Sequence, residues 1–297
     1  MGSAANGAEG LIPVATPGIS RFLEASDGIR LHYLRWFSEG DRPSAVVVFL
    51  HGIASHAAWF NETALVLSEH GVAVYGPDRR GSGLSGGRRG HLARFERALG
   101  DLDEILEMVR LTHPGTPVFL AASSWAAKLG VVYAADRPAG LSGMMLLGPG
   151  LLPMVDLSLP RRVAVGVGHV VAPTARIAIP LKPEQYTATP RYRDLIGNDR
   201  LRLLTATTRF FWETLRLDRR RERASASLDL PLLVLQGEDD VMMDVPKTHA
   251  WFSRLPDVDK TYKAYPGAGH TLDFDLAVDQ YRADMLDWLS ARAPGGV

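Results

Sequence analysis

Ala122-Ser123-Ser124-Trp125-Ala126 follows the apolar run Val118-Phe119-Leu120-Ala121-Ala122 and precedes a helix-like stretch from Trp125 to Asp136. A strand that turns sharply into a helix through these five residues pushes one hydroxyl out at the tip of the turn. Such an elbow needs small residues two before and two after the serine, because backbone passes close on both sides. For Ser124 those residues are Ala122 and Ala126. Ser123 fits worse, since its second neighbour downstream is the bulky Trp125. The usual pattern is G-x-S-x-G, and this chain departs from it at both small positions. Alanine at the second adds a methyl where helix and strand converge, and glycine tolerates positive φ more readily. Taken alone, the five residues also fit an ordinary strand–helix loop.

The surroundings of this segment carry more weight. The 297 residues suffice for one large α/β domain with an insertion, or for two small domains. The apolar fraction of 46% is that of an ordinary water-soluble globule. Formal net charge is zero, so no global basic field draws the chain to nucleic acid. The run Arg219-Arg220-Arg221-Glu222-Arg223 reads as a solvated helix end, with a docking patch for anionic lipid or a partner as the alternative. Cysteine is absent, which excludes disulfides, thiolate catalysis and Cys-ligated zinc. Met1 to Gly10 has no basic segment and no long apolar core, so no signal peptide is expected, and neither is a membrane span. These readings predict a cytoplasmic protein with a flexible tail over residues 1–20.

Short apolar runs alternate with longer helical patterns. Strands are expected at Leu31–Trp36, Ala45–Leu50, Val72–Tyr75, Val118–Ala122, Gly143–Leu147, Leu232–Gln236 and Thr261–Tyr265. Several are apolar throughout, as in Val46-Val47-Val48-Phe49-Leu50, which suits a sheet covered on both faces. Helices are expected at Trp59–His70, Phe95–Thr112, Trp125–Asp136, Lys247–Leu255 and Leu276–Ala293. In Phe95–Thr112 the residues Leu99, Leu102, Leu106 and Val109 recur at helical spacing. This rhythm implies an α/β fold with a mainly parallel sheet. It breaks between residues 151 and 229, a proline- and arginine-rich stretch with no convincing strand. A helix is expected there at roughly Asp199 to Asp218, and the apolar segment Val163–Ile179 reads as a buried or interfacial helix pair. The expected organisation is a core over 21–150 and 230–297 with a helical cap inserted at 151–229.

In open parallel sheets, ligands bind beyond the carboxyl ends of the strands. His51-Gly52-Ile53 follows Val46–Leu50. Asp78-Arg79-Arg80-Gly81-Ser82-Gly83-Leu84-Ser85 follows the next strand, and Ser124 the one after. Gly237-Glu238-Asp239-Asp240 follows Leu232–Gln236, and Gly267-Ala268-Gly269-His270 follows Thr261–Tyr265. A serine, a carboxylate and a histidine thus stand at strand ends in that chain order. His51-Gly52, Asp78-x-x-Gly81-x-Gly83-x-Ser85, the elbow, Gly237-x-x-Asp240 and Gly269-His270 together resemble the α/β-hydrolase family. Within it, the likeness is to monoacylglycerol-lipase and lysophospholipase-like serine hydrolases, over residues 22 to 289.

That resemblance implies Ser124 as nucleophile, His270 as base and Asp240 as the acid that orients it. Glu238, Asp239 and Asp244 compete for the third role, and one or more of them caps the following segment. A serine hydroxyl must lose its proton as it attacks. Histidine titrates near neutrality, so it can take that proton and return it to the leaving group. A buried carboxylate fixes the imidazole tautomer. In such a fold the backbone N–H groups of Ile53 and Trp125 form the oxyanion hole. His51, His56, Trp59 and Phe211 are candidate pocket residues. Plainer readings stand beside these: His51 as a loop brace, and Phe210, Phe211 and Trp212 as apolar core, with Trp59 open to the same two readings. Arg79, Arg80, Arg88 and Arg89 read as surface, while Asp78 and Ser85 read as braces of the turn around Gly81-x-Gly83.

The expectation is an esterase or lipase-like serine hydrolase that works through an acyl-enzyme on carboxylic esters of hydrophobic substrates, either monoacylglycerol- or lysophospholipid-like or small esters. No metal and no organic cofactor is implied, and transient membrane contact through the apolar cap is a further expectation. An amidase or peptidase, or a C–C bond hydrolase, would use the same triad. A catalytically silent hydrolase-fold binding protein is the rival from another class, because fold alone never proves function.

Overall fold

The run Val46-Val47-Val48-Phe49-Leu50 decides the architecture because both of its faces are covered. In a strand, successive side chains point to opposite faces. Val46, Val48 and Leu50 join one core cluster, while Ala45, Val47 and Phe49 join a second on the other side. The computed structural model describes residues 18–37, 42–137, 140–154 and 157–293. Residues 1–17 of the expected tail lie outside them.

Eight strands form the central sheet: β1 (Ile19–Glu24), β2 (Arg30–Trp36), β3 (Ala45–Leu50), β4 (Val72–Pro77), β5 (Val118–Ser123), β6 (Gly143–Leu147), and, later in the chain, β9 (Leu232–Gly237) and β10 (Lys260–Tyr265). Their order is β1-β2-β4-β3-β5-β6-β9-β10. The β1–β2 and β2–β4 pairs are antiparallel, and all the others are parallel. Helices α2 (Phe95–Thr112) and α3 (Ala126–Asp136) cover one face. The other is covered by α1 (Asn61–Glu69), entered through a short 3-10 turn at Ala57–Phe60, and by α9 (Val278–Ser290). Helix α8 (Val245–Ser253) closes the first face near β9. Each fully buried Val, Leu, Ile or Phe stabilises the fold by about 1.5–3 kcal/mol. The loops that carry Ser124, Asp240 and His270 thus spring from the ends of strands in a sheet covered on both faces. This is the architecture expected from the sequence, and β1 is the sheet strand the sequence does not announce. It is an edge strand, mostly exposed, so Ile19-Ser20-Arg21-Phe22-Leu23-Glu24 has no core-facing alternation to read. β1 thus takes in Ile19 and Ser20, the last two residues of the expected tail.

Between β6 and β9 run α4 (Leu159–Val171), β7 (Arg176–Ala178), α5 (Pro183–Tyr186), α6 (Pro190–Asn198), β8 (Thr205–Thr207) and α7 (Thr208–Ala224). Three sequence expectations fail here. The segment does contain strands, since β7 and β8 pair antiparallel through Ile177 and Ala206. The helix expected at Asp199–Asp218 begins instead at Thr208. The hydroxyl of Thr207 accepts from the Phe210 N–H at 3.1 Å and caps it, whereas Asp199 follows the end of α6. Val163–Ile179 is not a buried helix pair: it forms one helix and then β7. On α4 only Val165 and Gly168 are buried, while Leu159 (74%), Val163 (59%), Val167 (56%), Val170 (71%) and Val171 (73%) face outward. Pro160, Pro183 and Pro190 open helices, where the missing N–H costs nothing. Among the described residues no helix is long and apolar enough to cross a membrane.

Candidate active site

Ser124 has φ +53°, the only positive φ at a non-glycine residue among those described. That strain marks the sharp turn from β5 into α3. The turn is clamped by two backbone bonds, Ser124 N–H to Leu147 O at 3.0 Å and Gly150 N–H to Ser124 O at 2.9 Å. A Cβ at Gly150 would stand 2.7 Å from the Ser124 carbonyl carbon, so only glycine permits this approach. Gly52, in the loop after β3, also lies close, though less so: its Cβ would meet the Ser124 Cβ at 3.1 Å.

Ala122 and Ala126 occupy the positions where glycine is usual. The methyl of Ala122 is buried against Gly130, one turn into α3, whose own absent Cβ would fall 3.0 Å from it. The glycine has in effect moved from strand to helix. This makes room for the alanine at the first of the two positions.

The loops after β9 and β10 are pressed together. A Cβ on Gly237 would stand 2.1 Å from Gly269 O, and Asp239 N–H donates to Ala268 O at 2.9 Å. This brings Asp240 to His270. His270 Nδ1–H donates to Asp240 Oδ2 at 2.7 Å, and the Ser124 hydroxyl donates to His270 Nε2 at 2.8 Å. Of the competing acids, Glu238 and Asp239 are exposed, and Asp244 caps α8 by accepting from Lys247 N–H at 3.0 Å. Asp240 alone among them is buried and faces the imidazole. Burial pushes its carboxyl up. The His270 ring, the Met242 N–H (2.8 Å) and the Gln236 amide (3.0 Å) outweigh that and hold it below the usual carboxylate range.

Two cavities open at Ser124. The larger, about 460 Å³, is mostly apolar, with Ile53, Trp125, Val165, Ile179, Phe211 and Met243 in its wall. The ion pair between buried Lys128 and half-buried Asp218 (2.7 Å) also lines it. The smaller, about 20 Å³, has the room of a single water. His270, Ser55, Thr271, Asp273 and Tyr186 surround it.

The structure therefore brings Ser124, Asp240, His270, Ile53 and Trp125 to one place. Phe211 lines the large cavity and Trp59 the small one. His51 and His56 line neither. His51 Nδ1–H donates to Gly52 O at 2.8 Å and its Nε2 accepts from Arg79 N–H at 2.9 Å. Burial pushes its pKa down to about 3, and nearby Arg79 adds to this, so it is a neutral brace. His56 Nε2 and Trp59 Nε1 both bind Asp199 Oδ2, at 3.0 and 2.7 Å, tying the 3-10 turn to the segment between β6 and β9. Asp78 is a brace, as the sequence indicates. Its carboxylate takes His32 at 2.7 Å and two backbone N–H groups, and although burial opposes it, this set holds its pKa down to about 2.

The arginines correct the sequence reading. Only Arg88 is plainly exposed. Arg80 pairs with Asp101 at 2.7 Å and with Asp27 at 3.0 Å, and Arg89 reaches the carbonyls of Gly83 and Leu201. Arg79 is half-buried beside Trp125 and Phe210. An arginine in a post-strand loop looks like surface in one dimension. Only the fold shows that this loop turns beneath the elbow.

The sheet order, the strained serine and the hydrogen-bonded Ser–His–Asp relay define a hydrolase of the α/β class. The chain belongs to the Hydrolase_4 family, described as serine aminopeptidase, S33, whose pattern matches residues 41–277. It is similar to the monoglyceride lipase of Rattus norvegicus, 28% identical over 264 residues that cover 88% of this chain and 87% of the relative. It is also similar to the monoacylglycerol lipase of Mycolicibacterium smegmatis, 27% identical over 269 residues and 88% and 93% of the two chains. A soluble variant of the Saccharomyces cerevisiae monoglyceride lipase, solved with a substrate analogue, superimposes with a TM-score of 0.82 at 21% identity, covering 94% of this chain and 97% of that one.

Proposed function

We propose that this chain hydrolyses carboxylic esters of apolar acids, monoacylglycerols among them, through an acyl-enzyme on Ser124. The observation that carries the reading is the relay of 2.8 and 2.7 Å from Ser124 through His270 to Asp240, opening into an apolar cavity. His270 Nε2 takes the Ser124 proton as the hydroxyl attacks the ester carbonyl. The Asp240 carboxylate stabilises the imidazolium that forms. The N–H groups of Ile53 and Trp125, with the positive end of α3 behind the latter, receive the oxyanion. His270 then protonates the departing alcohol. A water entering the small cavity beside His270 gives its proton to Nε2 as it attacks the acyl carbonyl, and His270 returns that proton to Ser124 Oγ as the carboxylic acid leaves. The segment 151–229 acts as the cap, with Val165, Ile179, Phe211 and Leu215 walling the acyl group.

An ester substrate fits better than a peptide N-terminus. An aminopeptidase needs a carboxylate for the substrate ammonium, and the carboxylate in the large cavity, Asp218, is already paired with Lys128. The outward apolar row of α4, with Arg161 and Arg162 beside it, suits shallow seating in a lipid surface. The test is hydrolysis of p-nitrophenyl esters of graded chain length and of monoacylglycerols, alongside aryl amides. Turnover of medium-chain esters that far exceeds that of the amides supports the reading. Amide cleavage at comparable rates, or no ester cleavage, contradicts it.

A further inference from the structure

The two oxyanion donors share a single side chain behind them. Arg79 Nη1 donates to Gly52 O at 3.1 Å, and Nη2 donates to Ile53 O at 3.0 Å and to Ser82 Oγ at 3.1 Å. Its guanidinium carbon also lies 4.8 Å from the centre of the Trp125 ring and 5.4 Å from that of Phe210. No step of the proposed ester cycle uses Arg79.

Gly52 O and Ile53 N–H belong to one peptide unit. That unit is planar and trans, so its C=O and N–H point in opposite directions. Fixing the oxygen fixes the direction of the hydrogen. A charged donor on the oxygen also draws electron density from the amide nitrogen and makes the N–H a stronger donor. His51 Nδ1–H adds a second, neutral donor to the same oxygen at 2.8 Å. The Ile53 carbonyl, on the next peptide, is held by the other guanidinium nitrogen, so the loop is gripped on both sides of Ile53. The stacking on Trp125 lays the same cation beside the residue that supplies the other N–H.

We propose that Arg79 is a positioning residue of the oxyanion hole, aiming and polarising the Gly52–Ile53 peptide and holding Trp125 against the same cation. The inference rests on the ester-hydrolase reading, which assigns the two donors and supplies the readout. A neutral side chain of similar length removes both the fork and the charge. Lysine keeps the charge but can reach only one carbonyl well. Because Arg79 acts through the donor, its loss costs less than deleting a donor outright, which costs about 10²–10³ in kcat.

The experiment compares wild type, Arg79→Met and Arg79→Lys. It reads kcat and KM on one p-nitrophenyl ester, the Ki of a trifluoromethyl ketone, which forms an oxyanion on Ser124, and thermal unfolding. The expected result is a kcat lower by about 10- to 100-fold in Arg79→Met with KM within about threefold. The ketone should weaken in step with kcat, and Arg79→Lys should fall between. Unchanged kcat in folded Arg79→Met overturns the assignment. So does a fall in kcat with unchanged ketone affinity. If Arg79→Met does not fold, Arg79→Lys decides on the same two readouts. A wild type that cleaves no ester and binds no ketone refutes the hydrolase reading itself, a result distinct from either of these.

Discussion

The exchange between Ala122 and Gly130 can be tested as a coupled pair. Gly130→Ala places a methyl 3.0 Å from the Ala122 Cβ and 3.4 Å from Met144 Sδ, inside a core with no exposed neighbour. Overpacking of this kind costs about 1–3 kcal/mol, and the better helix propensity of alanine returns about 1 kcal/mol. The net loss is thus up to about 2 kcal/mol. Ala122→Gly alone removes a buried methyl and loosens the strand, at about 1–2 kcal/mol. The double variant restores the usual glycine in the strand and gives its methyl to the helix. It should be about 1–2 kcal/mol more stable than the sum of the single losses predicts, within the range for residues in contact. Urea unfolding of the four proteins measures this, and kcat on a short ester reports whether the elbow has shifted. Strict additivity, within about 0.3 kcal/mol, refutes the idea that Gly130 makes room for the alanine elbow.

Further outcomes follow from the same geometry. Ser124→Ala should lower kcat by about 10⁴-fold or more with little change in unfolding temperature, measured on any ester the wild type cleaves. Asp240→Asn should cost about 10⁴-fold through the wrong His270 tautomer, while Asp244→Asn, which alters only a helix cap, should leave kcat within about twofold. His51 is held neutral, with its pKa lowered from 6.5 to about 3. The unfolded chain binds its proton first as pH falls, so this contribution is complete above pH 6.5 and is lost progressively toward pH 3. Stability of His51→Gln should therefore depend less steeply on pH over that interval in urea titrations. Asp199→Ala should leave His56 and Trp59 Nε1 without their shared acceptor, at about 1–3 kcal/mol, and speed proteolysis within 151–229.

The parallel core was legible because its strands are apolar on both faces and end in residues whose chemistry shows in one dimension. Val46–Leu50, Val118–Ala122 and Leu232–Gln236 needed no tertiary information. The serine, the acid and the histidine could be picked out as residue types after strands, and the resemblance already implied Asp240; the pressing of Gly237 against Gly269 is what carries that carboxylate to His270. The intervening segment was less legible. Its short strands pair through three residues each, too few for a periodic signal, and Val163–Val171 is an apolar stretch that the fold leaves outside. His56 and Arg79 were misread because each acts through a partner distant in sequence, Asp199 in one case and the Gly52–Ile53 peptide in the other.

The most direct measurement is the intact mass of the protein after treatment with a fluorophosphonate, followed by location of the adduct. Hydroxyl activation by the neighbouring imidazole predicts one adduct per chain, on the peptide that contains Ser124, and none in His270→Ala. A folded wild type that stays unmodified, or an adduct at another residue, contradicts it.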